Sequence, residues 1–111
     1  MDIFRERIPC NNGRDVRCNV LEIKIVYDIG GYNYFTSTPK RRGYYLHVSP
    51  LEVSGNMVSY QAFSGTCMLL NEVKRQSKKG EEEALKLLPE FKQKLIEYVC
   101  KEHGITLKET A

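Results

Sequence analysis

Between Gly30 and Pro50 the chain reads GGYNYFTSTPKRRGYYLHVSP, and this stretch gathers the side chains best suited to contact a polyanion. Four tyrosines (Tyr32, Tyr34, Tyr44 and Tyr45), Phe35 and the consecutive cations Lys40, Arg41 and Arg42 fall within it. A tyrosine ring stacked on an unpaired base contributes roughly 1–3 kcal/mol, and nearby cations neutralise phosphates. On an extended chain Tyr44, Leu46 and Val48 share one face, while Tyr45, His47 and Ser49 share the other. The first set reads as core and the second as a half-wet face. Register decides which of Tyr32/Tyr34 and Phe35 turns inward. The bland reading is a structural hairpin: tyrosine favours strands, and cross-strand aromatic pairs stabilise sheets by up to about 1 kcal/mol each. The candidate binding residues here are Tyr32, Tyr34, Lys40, Arg41, Arg42, Tyr45 and His47, with the three cations expected at the hairpin tip.

A second basic group, Lys74, Arg75, Lys78 and Lys79, is expected in the last turn of a helix. Cations there complement the helix dipole, so a solvated helix end explains the group, although it could also touch a nucleic-acid backbone or an acidic protein. The inventory for catalysis is thin. His47 lies in strand alternation and His103 at a helix end; a Cys–His nucleophile pair would need His47 beside Cys67 or Cys18. The acidic run Glu81–Glu83 reads as a helix start, and the phosphate- and dinucleotide-loop signatures are absent. Zinc would accept Cys10, Cys18, His47 and His103, but no C-x-x-C knuckle is present and the spacing does not support a site. The expectation is therefore a protein that is no enzyme, with no metal and no cofactor.

The elements that must position these residues follow from periodicity. In VLEIKIVYDI, Leu21, Ile23, Ile25, Tyr27 and Ile29 alternate with Glu22, Lys24 and Asp28, which predicts a strand with one buried face. IFRERIP is a candidate partner strand, joined through turn residues at Asn11–Gly13. GYYLHVSPLEV and MVSYQAF read as further strands around a turn at Ser54–Asn56. Pro50 lacks a donor and requires a break, a bulge or an edge. After Gly65 the pattern becomes helical. Leu69, Leu70 and Val73 line one face of a first helix that stops at Gly80. Ala84, Leu88, Phe91, Leu95, Tyr98 and Val99 line a second, running to about His103 and kinked at Pro89. This predicts one α+β domain over 1–111: an antiparallel meander of four to five strands (about 3–64) followed by two C-terminal helices (about 66–103) packed on one sheet face.

A chain of 111 residues with 41% hydrophobic and 28% charged content suits one soluble core. Its net charge of +3 is mildly basic, so the placement of charge matters more than its sum. The start is charged and no apolar run approaches a membrane span, which predicts a cytoplasmic protein with free thiols, Cys67 and Cys100 lying on helix faces.

The run GGYNYFT…RRGYYLHVSP, with AFSG and NEVKRQSKK, resembles a group of short bacterial proteins of plasmids, conjugative elements and prophages, over roughly Tyr27 to Lys79. The resemblance implies a setting in mobile DNA, where small accessory proteins bind nucleic acid or intercept a host protein, and it carries over no residue roles. Four strands followed by a helix also occur in single-stranded DNA binders of the transcriptional coactivator type, an analogy of architecture alone. The expected partner is a single-stranded nucleic acid, or alternatively a protein of a host or element-encoded complex; a homodimer is compatible, and no membrane is expected.

Overall fold

The computed structural model describes residues 2–28, 31–33, 38–61 and 66–108, and among these the side chains of 2, 31–33, 38–40, 60 and 61 are left aside. Strands β1 (Asp2–Pro9), β2 (Val20–Asp28), β3 (Gly31–Asn33), β4 (Thr38–Lys40), β5 (Gly43–Ser54), β6 (Met57–Gln61) and β7 (Thr66–Glu72) precede one helix, α1 (Lys78–His103). The fold is α+β with an antiparallel sheet. β1, β2 and β5 lie side by side, and β6 and β7 share the far flank of β5, β7 pairing with its first half and β6 with its second. β3 and β4 form a separate two-stranded ladder.

The alternation read from β2 is what the sheet uses. Leu21, Ile23 and Ile25 are fully buried, and opposite them in β5 stand Pro50, Val48 and Leu46. Tyr27 faces Tyr44, their rings 5.2 Å apart at 61°. α1 covers this face with Gly80, Ala84, Leu88, Leu95, Ile96 and Val99. Each buried leucine, isoleucine or valine among them stabilises the fold by about 1.5–3 kcal/mol. The stripe is narrower than the sequence reading: Phe91 is half-buried and Tyr98 is 54% exposed. At the sheet margin, Lys92 reaches Glu6 of β1 at 2.8 Å and lies over the Phe4 ring.

The two-helix expectation is corrected to one helix. Thr66–Glu72, read as helical from Leu69 and Leu70, is strand β7. A short apolar run is ambiguous between the two periods. Here the free flank of β5 decides, since β7 satisfies its backbone there from Gly43↔Glu72 to Val48↔Thr66. Ser77 is the N-cap, its hydroxyl accepting from the Gly80 N–H at 3.0 Å. Gly80 therefore lies in the first turn and stops nothing. It is small because a Cβ there would crowd the Tyr44 ring. The helix continues through Pro89, an exposed position where the carbonyl left without a partner can meet water. Gly104, in the left-handed conformation with its N–H donating to the Cys100 carbonyl, ends it.

β5 also runs straight through Pro50. Leu51 turns its carbonyl toward the β2 side, where the Asn19 N–H donates to it at 2.8 Å, so Pro50 turns its missing donor the other way. Among the described residues, that flank pairs with β7 up to Val48 and with β6 from Leu51.

Candidate nucleic-acid interface

The register of β2 with β5 continues unchanged into β3 with β4: Asp28 faces Gly43, and Gly31 faces Lys40. The hairpin is thus longer than the sequence suggested. Arg41 and Arg42 sit at its waist, where β4 passes into β5, and not at its tip. Lys40 is in β4 and Tyr32 in β3, while their side chains, and Tyr34 altogether, fall outside the described residues.

Tyrosine side chains fasten the second basic segment to this waist. The Val73 N–H donates to the Arg42 carbonyl at 3.0 Å. Tyr27 donates its hydroxyl to the Val73 carbonyl at 3.1 Å. The buried Tyr44 hydroxyl both donates to the Ser77 carbonyl and accepts from the Ser77 N–H, at 3.2 Å each. Asn71 holds the Gly80 carbonyl through Nδ2 at 3.1 Å. The segment 73–80 is thereby pinned across the start of β5. Arg41 and Arg42 meet Lys74, Arg75, Lys78 and Lys79 at one end of the sheet, and all six are exposed.

Arg41 pairs weakly with Glu72 at 3.8 Å, whereas Arg42, Lys74, Arg75, Lys78 and Lys79 form no ion pair among the described residues. The helix-dipole explanation of Lys78 and Lys79 is overturned, because they stand in the first turn of α1. Cations there oppose the dipole at a cost of roughly 0.3–1 kcal/mol each. Glu81 in the same turn, and Glu82 and Glu83 beyond it, offset part of the charge.

The sheet face opposite α1 carries the alternate residues. Arg5, Lys24, His47 and Cys67 fall in one cross-strand row over β1, β2, β5 and β7. Arg7, Glu22 and Ser49 form the adjacent row, and Val26, Tyr45 and Leu69 the row on the other side. Glu22 is buried and neutralised by Arg7 at 3.0 Å, with Lys24 at 3.9 Å. Tyr45 stands on this outer face as read, but the residue is only 8% exposed and its hydroxyl donates to the Arg41 carbonyl at 2.7 Å. Its observed work is to hold the waist of the hairpin.

The thiols divide into two kinds. Cys67 is exposed on β7, not on a helix, and stands directly opposite His47, which is the placement that a Cys–His pair requires. Cys10 and Cys18 are buried, and the Cys10 thiol donates to the Cys18 sulfur at 3.6 Å. Burial, then the contact with Cys18, pushes the Cys10 thiol up from 9.0 to about 12. Cys100, on α1 and half-buried, is also pushed up by burial. His103, at the end of the same helix, has its Nδ1 at 3.1 Å from Asp15. Among the described residues no group of three or more His, Cys, Asp or Glu side chains could hold a metal ion, and no helix is long and apolar enough to cross a membrane.

The pinning roles of Tyr27 and Tyr44 went unread because their partners are backbone groups some thirty to forty-five positions away. The one local signal is Ser77, an N-cap residue followed closely by the acidic run Glu81–Glu83. No family model matches the chain, nor does any curated protein or solved structure.

Proposed function

We propose that this chain is a small non-enzymatic module that binds single-stranded nucleic acid. The observation that carries the reading is the meeting of two basic segments, distant in sequence, at one end of the sheet: Arg41 and Arg42 with Lys74, Arg75, Lys78 and Lys79. Tyr44 anchors the second segment to the first, at a helix start where Lys78 and Lys79 oppose the helix dipole and so contribute nothing to the helix itself. Phosphates meet this cluster, and the strand continues over the outer face toward Lys24 and Arg5. Unpaired bases lie against the apolar side chains of Val26 and Leu69, which are half-exposed in the row between and offer burial without stacking. The resemblance of Tyr27–Lys79 to proteins of mobile elements supplies a setting in which single strands arise.

The test is fluorescence anisotropy with labelled single-stranded DNA, single-stranded RNA and duplex DNA at two salt concentrations. Four phosphate contacts give a single-strand slope near −2.8, a loss of about fifty-fold from 50 to 200 mM salt. Absence of binding at the lower salt defeats the proposal. Two perturbations of the outer face sharpen it. Glu22→Gln releases Arg7 and Lys24 from their counter-charge and is expected to tighten binding several-fold. Carboxymethylation of the exposed Cys67 places a carboxylate in the basic row and is expected to weaken binding by a similar factor, an effect lost in Cys67→Ser.

A protein partner is the second reading, favoured by Met57 and Val58, which stand 75% and 43% exposed at the β5–β6 turn. Binding through that turn would respond little to salt and fall on Met57→Ser, whereas nucleic-acid binding would not.

A further inference from the structure

We propose that Cys10 and Cys18 form an intramolecular disulfide by exchange with a low-molecular-weight disulfide. The two sulfurs, 0% and 2% exposed by residue, lie in contact at 3.6 Å. Closing the bond requires the sulfurs to approach to about 2.05 Å, a displacement within reach of side-chain rotation. The backbone on both sides is held by hydrogen bonds. The Cys10 N–H donates to the Asn19 carbonyl at 2.9 Å, continuing the β1–β2 ladder, and the Cys18 N–H donates to Asn12 Oδ1 at 2.9 Å. The pair therefore closes the loop between β1 and β2 at its base.

The exchange balances without another reagent. When the loop between β1 and β2 opens locally, the Cys18 thiolate attacks the external disulfide and releases one thiolate. Cys10, once deprotonated, attacks the Cys18 sulfur and releases the second. Two protein thiols are oxidised to one disulfide while the external disulfide is reduced to two thiols, and the protons pass to solvent. The thiol raised toward 12 makes the reaction slow near neutrality and faster with rising pH.

The bond would brace the C-terminal end of α1. The loop it closes carries Arg14, whose N–H donates to the His103 carbonyl at 2.7 Å and whose guanidinium reaches the Glu102 carbonyl, and Asp15, which pairs with His103.

The experiment incubates the full chain carrying Cys67→Ser with oxidised glutathione across a pH series. Intact mass is expected to fall by two hydrogens with no glutathione retained. Trypsin, cutting at Arg7, Arg14, Arg17 and Lys24, should release the peptides Ile8–Arg14 and Cys18–Lys24 joined to each other. The rate should climb with pH, and the melting temperature of the oxidised chain should rise by several degrees. A chain that stays reduced throughout the series overturns the proposal. So does a glutathione adduct that persists on Cys10 or Cys18, or a linkage mapped between Cys18 and Cys100. Cys100→Ser should leave the Cys10–Cys18 bond intact.

Discussion

Replacing Lys74, Arg75, Lys78 and Lys79 together with alanine is expected to cut single-strand affinity by two to three orders of magnitude at about 50 mM salt. Each phosphate neutralised on a single strand contributes about 0.7 to the salt slope, so three lost contacts remove about 2 from it and most of the low-salt affinity. Stability should move the other way. Lys78 and Lys79 oppose the dipole of α1, and their removal should raise it by a few tenths of a kcal/mol each. This opposition separates the binding reading from a structural one: a solvated helix end predicts no change in affinity. The control is Lys86→Ala with Lys101→Ala, two exposed cations further along the helix. If the quadruple variant and the control bind alike with equal salt slopes, the cluster is not the site.

The second large effect belongs to Tyr44, fully buried where the sheet meets the helix start. Tyr44→Ala removes the ring between Tyr27 and Gly80 and is expected to cost about 3–5 kcal/mol, a large share of the 5–15 kcal/mol typical of a domain. Tyr44→Phe is the informative companion. It keeps the packing and strips the hydroxyl that serves both polar groups of Ser77, at a cost of about 1–3 kcal/mol. In that variant hydrogen exchange should quicken at Ser77–Glu81 and nucleic-acid affinity should fall, although no cation has been touched. Denaturant unfolding with binding on the same sample checks both. Unchanged affinity in a folded Tyr44→Phe chain would show that the anchor does not position the cations.

Period-two patterning makes β2 and β5 legible, because the face that each turns toward α1 is apolar at every second residue. Arg41, Arg42 and the 74–79 segment were legible as cations but not as one group. Their meeting depends on the flank of β5 that Thr66–Glu72 occupies, and the apolar run Met68–Leu70 suits helix or strand equally until a neighbour is present. The KKGEEE boundary was visible but taken in the wrong sense, as the end of one helix and the start of another. Ser77 caps from outside the pair of lysines, so both runs of charge belong to one helix. Tyr45 reads from the sequence as a platform for a ligand and Tyr27 and Tyr44 as core; all three spend their hydroxyl on the backbone that carries the cations.

Pro50 has a consequence for solubility. An open sheet presents its outermost strand as a template on which other chains can pair, and a long uninterrupted edge invites aggregation. β6 and β7, five and seven residues long, line the flank of β5 on which Pro50 has no amide to offer. Pro50→Val would return a donor to that flank and strengthen the template on which copies of the chain could add to one another.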